Sequence, residues 1–221
     1  MDLSKSYEFF NPALVKGRVH IIGCGSVGSS LAENIARMGV KKFDLWDFDL
    51  VEPHNIVNQQ FTVKDIGRLK VEATRDIILS INEDADVKIH PAGWNGEPLS
   101  GFVFLAADSM DVRRAIVEGN MMNLAVKAMF DFRTGLKDAQ HYAADWSDGE
   151  QRSALLQSMQ FTDEEAKAGT PVSACGVTLG VVTTVRMIVG MGVNNFLNFL
   201  KGEGIWKVVS CNGFAGNILC I

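Results

Sequence analysis

Apolar positions follow two different periods in the first 133 residues of this 221-residue chain. Short runs such as VHIIG (19–23) and FVFLAA (102–107) are almost continuously apolar, which is typical of parallel strands covered on both faces. Between these runs, apolar residues return every three or four positions, as they do along one face of a helix. Strands are predicted at 19–23, 42–48, 86–91, 102–107 and 126–132, and helices at 27–38, 65–80 and 111–124. This alternation predicts a Rossmann-like α/β fold with a doubly wound, mainly parallel sheet and right-handed crossovers.

The pattern changes in the second part of the chain. Residues 132–146 favour one or two strands, and the polar stretch 147–169 is predicted to be a surface excursion. Residues 172–200 are rich in small and apolar side chains, which predicts a buried helix followed by a second helix. Residues 205–221 alternate and contain Asn212–Gly213, which predicts a closing antiparallel hairpin.

The composition is that of an ordinary globular protein, 47% hydrophobic with its charged residues spread along the chain. The net charge of −5, from 21 basic and 26 acidic residues, argues against a nucleic-acid surface. Arg186 and several glycines make 172–200 a core segment rather than a membrane span, and residues 1–18 lack the pattern of a signal peptide. We therefore expect a cytoplasmic protein that binds neither nucleic acid nor a membrane.

The cysteines are spaced too widely to form C-x-x-C pairs, so a four-cysteine zinc site has no support. We expect reduced and mostly buried thiols at Cys24, Cys175, Cys211 and Cys220. Cys175 precedes a predicted helix whose N-terminus would lower the pKa of the thiol, so a reactive cysteine is the alternative there.

A glycine-rich turn joins the first predicted strand to the first predicted helix. Gly23, Gly25 and Gly28 form G-x-G-x-x-G, in which the first glycine permits the turn, the second admits phosphate and the third lets helix pack on strand. The exposed N–H groups and the dipole at the helix start favour an anion. Asp47 ends the next strand, where a carboxylate accepts hydrogen bonds from ribose hydroxyls. The turn predicts a nucleotide site, and it suits NAD and ATP equally.

The segment DFDLVEPHNIVNQQFTVKDIGRLKVEATRD (47–76) resembles the ThiF/MoeB/HesA family, the adenylating core of ubiquitin-activating enzymes. The resemblance covers about residues 17–133, and a weaker similarity begins at residue 174. It implies that an aspartate at the end of the second strand holds ribose, and that an N-x-x-R-Q segment and a lysine reach the phosphates. It also implies that an aspartate after a later strand works with Mg²⁺.

Carried over residue by residue, the resemblance assigns ribose binding to Asp47 and nucleotide binding to the glycines of the turn. The other implied nucleotide-binding residues are Asn55, Asn58, Gln59 and Lys70. Lys70 and Asp108 are the implied catalytic residues, and Asp108 is also the implied Mg²⁺ ligand. Position 58 departs from the family, because asparagine stands where the family usually has arginine. Arg68, Arg75 or an arginine from a partner chain would then have to compensate.

The resemblance implies a function and a domain plan. We expect one domain over 1–221, with a nucleotide-binding half at 17–133, a polar crossover at 134–172 and C-terminal helices and a hairpin at 173–221. It would use ATP and Mg²⁺ to adenylate the C-terminal carboxylate of a ubiquitin-like protein, a sulfur-carrier protein or a peptide, working as a homodimer or heterodimer. The chain lacks the zinc-binding C-x-x-C pairs and a catalytic-cysteine domain, so it resembles a minimal form of the family.

Two other functions stay open. Asn58 keeps a non-catalytic nucleotide-binding partner subunit as an alternative. An NAD-dependent oxidoreductase would explain the glycine turn, although it leaves residues 54–61 and Lys70 unexplained.

Some of the residues have plainer interpretations as well. Lys70 could instead be an ordinary solvated lysine, and Asp108 could instead cap a helix. Asp49 is expected to be either a ribose or metal contact or a turn residue. The histidines show no ligand spacing, and His54 is expected at the surface.

Overall fold

A computed structural model of the chain describes residues 1–168, 171–174 and 179–221. The strands are β1 (Val19–Ile22), β2 (Lys42–Trp46), β3 (Asp86–His90), β4 (Gly101–Leu105), β5 (Val126–Thr134), β6 (Asp138–Asp145), β7 (Val208–Asn212) and β8 (Asn217–Cys220). The helices are α1 (Ser26–Arg37), α2 (Lys70–Ile81), α3 (Met110–Gly119), α4 (Gly149–Gln157), α5 (Asp163–Ala168) and α6 (Val182–Lys201). Short 3-10 turns occupy Pro12–Leu14, Pro53–Val57 and Val63–Asp65.

The strands form one sheet in the order β3-β2-β1-β4-β5-β6-β7-β8. Strands β1 to β5 are parallel, and β6, β7 and β8 add to the β5 side as antiparallel neighbours. This confirms the predicted Rossmann-like, doubly wound sheet with a C-terminal hairpin. The chain moves outward from β1 to β2 and β3 and then returns to β4 on the other side of β1. A reversal of this kind opens a crevice at the carboxyl ends of β1 and β4, where ligands of such sheets bind.

Helices cover both faces of the sheet. On one face α1 and α6 pack over an aromatic group in which Phe196 meets Phe104 and Phe130 edge-on at 5.2 and 5.5 Å. Gly192 of α6 permits this packing, because a Cβ there would lie 2.2 Å from the ring of Phe132. The apolar contact on this face holds α1, and therefore the turn before it, against β1 and β4.

The polar stretch 147–169 was predicted to be a surface excursion, and this is only partly right. Most of its described side chains are at least partly exposed, but Leu155 of α4 and Met159 are buried against the second face of the sheet with Trp146. These two apolar side chains stand four residues apart, a spacing that places them on one face of a helical turn. The stretch therefore closes the core of that face.

The prediction of two helices in 172–200 is wrong for the described residues. Residues 182–201 form the single helix α6, and 172–174 and 179–181 are not helical. Gly192 lies within this helix and allows its close approach to the sheet. Within the described part of the chain, no helix combines the length and hydrophobicity needed to cross a membrane. The predicted hairpin is present as β7 and β8, and the Asn212 side chain accepts hydrogen bonds from the N–H groups of Phe214 and Ala215 in its turn.

Candidate nucleotide-binding site

The glycine turn lies between β1 and α1, beside the end of β4. Gly23 has a φ of +93°, and a Cβ there would stand 2.7 Å from the backbone of Ala106 and Ala107. A Cβ on Gly28 would stand 1.8 Å from the carbonyl oxygen of Gly23, so only glycine lets α1 begin so close to β1. At Gly25 nothing lies within 4 Å of a Cβ. Gly23 and Gly28 thus have the steric roles predicted for them, and Gly25 faces open space, as a phosphate cradle requires.

Asp47 follows β2 and ties its end to the glycine turn. Its Oδ2 accepts the N–H of Cys24 at 2.7 Å, and its Oδ1 accepts the N–H of Asp49 at 2.8 Å. Burial raises the pKa of Asp47 above its ordinary value, against the lowering effect of these two hydrogen bonds and of the nearby Lys70 charge. Each carboxylate oxygen accepts more than one hydrogen bond. The group can therefore hold the turn in place and still accept ribose hydroxyls.

Lys70 is the first residue of α2 and is 8% exposed, so the alternative of a solvated lysine is wrong. Its Nζ lies 2.7 Å from Oδ2 of Asp49, and its N–H donates to the carbonyl of Asp49 at 2.9 Å. Asp49, predicted to be either a ribose or metal contact or a turn residue, thus holds Lys70 through both its side chain and its backbone. A hydrogen-bonded chain runs from Cys24 through Asp47 and Asp49 to Lys70.

The segment 55–60 is fixed between α1 and α6. The Oδ1 of Asn55, a buried residue, accepts the N–H of Glu52 at 2.9 Å, so its side chain shapes the turn. Gln60 donates its N–H to Oγ of Ser29 at 3.1 Å and accepts Nη2 of Arg186 at 2.7 Å. The structure therefore brings this segment to the helix that follows the glycine turn.

The two predicted nucleotide-binding residues within this segment have different surroundings. Oε1 of Gln59 is buried and lacks a hydrogen-bond partner among the described residues. A buried acceptor of this kind calls for an explanation, and a bound ligand would supply one. The amide nitrogen of Asn58 lies 2.8 Å from the place of a Cβ on Gly180, so Asn58 packs against the backbone that leads into α6.

The two arginines considered as replacements for the missing family arginine already have partners. Arg68 pairs with Asp65 at 3.0 Å and with Asp76 at 2.5 Å. Arg75 lies 3.3 Å from the same Asp76. Either guanidinium would have to leave these carboxylates before it could reach a phosphate.

Asp108 lies in the turn between β4 and α3, with its side chain exposed. The interpretation of Asp108 as the cap of α3 is wrong, because Ser109 is the N-cap and accepts the N–H of Val112 at 3.3 Å. Asp163, which no sequence motif marks as a site residue, accepts hydrogen bonds from Oγ of Ser109 at 2.8 Å and from the N–H of Met110. Its distance of 54 residues from Ser109 explains why no local pattern revealed it.

The exposed carboxylate of Asp108 could contribute to a Mg²⁺ site that is completed by substrate phosphates and water. In the described part of the chain no group of three His, Cys, Asp or Glu side chains is placed to hold a metal. Mg²⁺ is usually bound through one or two carboxylates, substrate phosphates and water. One exposed carboxylate beside an open phosphate cradle fits that donor set.

Among the described residues, no cysteine or histidine adds a reactive group to this site. Cys24 is buried, and burial raises the pKa of its thiol, which disfavours a thiolate. Cys211 is buried and Cys220 exposed, whereas Cys175 lies outside the described residues. His54 is exposed, as predicted. His141 lies in the core, where burial lowers its pKa to about 4.

Comparison with known proteins places these observations in a family context. A model described as the ThiF family matches residues 10–217. Ubiquitin-like modifier-activating enzyme 5 of Culex quinquefasciatus is 28% identical over 229 residues, which cover 92% of this chain and 54% of that protein. The protein of the same name from Caenorhabditis elegans is 38% identical over 72 residues, or 33% of this chain and 17% of that protein. The chain therefore spans about half the length of these relatives, or less.

Two solved structures resemble the fold. The crystal structure of PaaA gives a TM-score of 0.76 at 17% identity and covers 95% of this chain and 74% of its own. The crystal structure of E. coli MccB with AMPCPP and MccA gives 0.69 at 14% identity and covers 95% and 65%. At these identities the likeness shows the fold alone.

Proposed function

Because this chain belongs to the ThiF family, we propose that it is an adenylyltransferase that uses ATP with Mg²⁺ to activate a carboxylate. The observation that carries the proposal is the hydrogen-bonded chain that joins the open glycine turn to the buried Lys70. It joins the glycine turn, the Asp47 carboxylate and a lysine at one edge of the sheet, and we propose that they bind phosphate, ribose and phosphate respectively. The same edge carries Asp108 in the turn after β4.

In the proposed reaction a substrate carboxylate attacks the α-phosphate of ATP and pyrophosphate leaves. The N–H groups at the start of α1 bind phosphate oxygens, and Asp47 holds the ribose. Lys70 stabilises the negative charge that grows on the transferred and leaving phosphates. Mg²⁺, held through Asp108, would neutralise phosphate charge and align the leaving group. The protein contributes position and charge, and it supplies no covalent nucleophile.

The proposed substrate is the C-terminal carboxylate of a small protein or peptide. Relatives named ubiquitin-like modifier-activating enzyme 5 support a ubiquitin-like protein. A peptide that ends in a free carboxylate would present the same reacting group. A sulfur-carrier protein presents the same carboxylate chemistry and belongs to the same proposal. We also propose a dimer, in which a neighbouring chain would provide the positive charge that Asn58 lacks.

ATP–pyrophosphate exchange with Mg²⁺ tests the proposal directly. Exchange should require a protein or peptide that ends in a free carboxylate, and it should be lost in Lys70→Ala and in Asp108→Ala. Lys64→Ala is the matched control, because Lys64 is an exposed lysine in the same connection between β2 and α2. Failure of the wild-type chain to bind ATP would overturn the assignment.

The second candidate is a non-catalytic subunit that binds nucleotide and pairs with an active partner. The observation that favours it is Asn58, packed against Gly180 at the position of the family arginine. Binding of ATP without exchange, together with exchange in Asn58→Arg, would support this alternative. Binding of NAD more tightly than ATP would instead favour the oxidoreductase.

A further inference from the structure

The turn that carries Asp108 is fastened on both sides by side chains from elsewhere in the chain. On its N-terminal side the guanidinium of Arg113 donates Nε to the carbonyl of Ala107 at 2.7 Å, and its Nη2 donates to the same oxygen. On its C-terminal side Asp163 accepts hydrogen bonds from Ser109 and from the N–H of Met110. The backbone on either side of Asp108 is therefore fixed.

Arg113 also ties this turn to the neighbouring strand. Its Nη1 lies 2.5 Å from Oδ1 of Asp131, which is completely buried in β5. The other oxygen of Asp131 accepts Nε of Arg133 at 2.7 Å. Arg133 in turn donates to the carbonyl and hydroxyl of Ser158 at 2.8 Å. The carboxylate of Asp131 thus binds two guanidinium groups. Of these two arginines, Arg113 is the one that contacts the turn of Asp108.

We propose that Arg113 is a positioning residue for Asp108. It holds the carbonyl immediately before that aspartate, so that the exposed carboxylate meets Mg²⁺ and the phosphates of ATP in one fixed place. This inference rests on the proposed function and deepens it. Errors of about 1 Å in the placement of a catalytic group can lower rates by about a hundredfold, so a single anchor of this kind has a measurable effect.

The two arginines provide a matched pair of variants. Arg113→Lys keeps a positive charge for Asp131 but removes the planar pair of N–H donors from Ala107. Arg133→Lys makes the same chemical change on the other side of Asp131, away from the Asp108 turn. If the network were merely structural, both variants would lower thermal stability and neither would change the response to Mg²⁺.

Two readouts separate positioning from stability. The first is calorimetric binding of ATP with Mg²⁺ and with a chelator, and the second is the Mg²⁺ concentration that gives half-maximal exchange. We expect Arg113→Lys to lose most of the Mg²⁺-dependent gain in ATP affinity and to need at least tenfold more Mg²⁺. Arg133→Lys should retain both wild-type values. Asp163→Asn alters the partly exposed carboxylate that binds the other side of the turn. It should likewise reduce the Mg²⁺-dependent gain in ATP affinity and raise the Mg²⁺ concentration needed for exchange.

The outcomes distinguish this inference from the proposed function. If the wild-type chain binds ATP more tightly with Mg²⁺ and both Arg113→Lys and Asp163→Asn do the same, the positioning role is overturned and the adenylation proposal stands. If Mg²⁺ does not affect ATP binding by the wild-type chain, the proposed role of Asp108 fails, and the positioning role fails with it. Should Arg113→Lys not fold, the result for Asp163→Asn decides.

Discussion

Two substitutions in the glycine turn should separate the packing of α1 from the binding of ATP. In Gly28→Ala the new methyl group would lie 1.8 Å from the carbonyl oxygen of Gly23, and the obstacle is backbone that no side-chain rotation relieves. Overpacking of this kind costs about 3 kcal/mol. For a chain of this size we expect the melting temperature to fall by about 6–12 °C.

In Gly25→Ala the methyl group meets nothing within 4 Å, but the backbone at this position has φ −75° and ψ −146°, a combination that alanine rarely adopts. The backbone strain should lower the free energy of unfolding by about 1 kcal/mol, less than the steric clash at Gly28. The methyl group would occupy the space where a phosphate approaches the backbone. We expect ATP affinity to fall at least tenfold, which corresponds to about 1.4 kcal/mol.

Differential scanning calorimetry of the free proteins and calorimetric titration with ATP measure both quantities. We expect Gly28→Ala to lose the most stability, and Gly25→Ala to lose less stability but to bind ATP poorly. Wild-type ATP affinity in Gly25→Ala would show that no phosphate lies over this turn. Wild-type stability in Gly28→Ala would refute the steric account of how α1 packs on β1.

Three further predictions concern other parts of the chain. Burial lowers the pKa of His141 to about 4, so the folded state favours the neutral ring. The unfolded chain has the ordinary histidine pKa of about 6.5. This difference contributes about 3 kcal/mol to the free energy of unfolding above pH 6.5, and the contribution should be lost as the pH falls to 4. In urea unfolding at pH 7 and 4.5, His141→Gln should lose less stability than the wild type, and an equal loss would contradict this account. Asp49→Asn removes the charge opposite Lys70, so the free protein should lose about 1–2 kcal/mol. ATP should raise the melting temperature of Asp49→Asn more than that of the wild type, because phosphate replaces the negative charge that Lys70 has lost. A smaller rise would refute the proposed role of Asp49 as the partner of Lys70. Leu155→Ala should cost about 2–5 kcal/mol in denaturant unfolding, whereas a loss below 1 kcal/mol would mean that α4 does not close the core.

The sheet and its first helices could be predicted from the sequence because burial on both faces leaves continuous apolar runs. Strand β4 is buried at every position, and the run at 102–107 predicted it within two residues at its C-terminal end. The limits of helix α2 were less accurate, since the apolar pattern extends to residue 65 whereas the helix begins at Lys70. Periodicity detects a buried face, and it does not detect where backbone hydrogen bonding begins.

The contacts that organise the candidate site could not be read from local patterns. Lys70 and Asp49 are 21 residues apart, and Arg113 and Asp131 are 18 apart, so each pair forms only once the strands are aligned. The family resemblance selected Lys70 and Asp108 but did not predict the contact of Lys70 with Asp49 or the hydrogen bonds of Arg113 to the turn of Asp108. Residue types and spacing identified candidate groups, whereas the partners that fix them depend on tertiary structure.

The charge balance around the glycine turn makes position 58 important. Lys70 is paired with Asp49, Arg113 with Asp131, and Arg186 lies 3.3 Å from Glu33. These ion pairs orient their cations but add little net positive charge toward a triphosphate. The dipole of α1 and a bound Mg²⁺ would then have to offset most of the phosphate charge. An arginine at position 58 would add an unpaired charge to this segment, so Asn58→Arg should tighten ATP binding even if exchange does not increase.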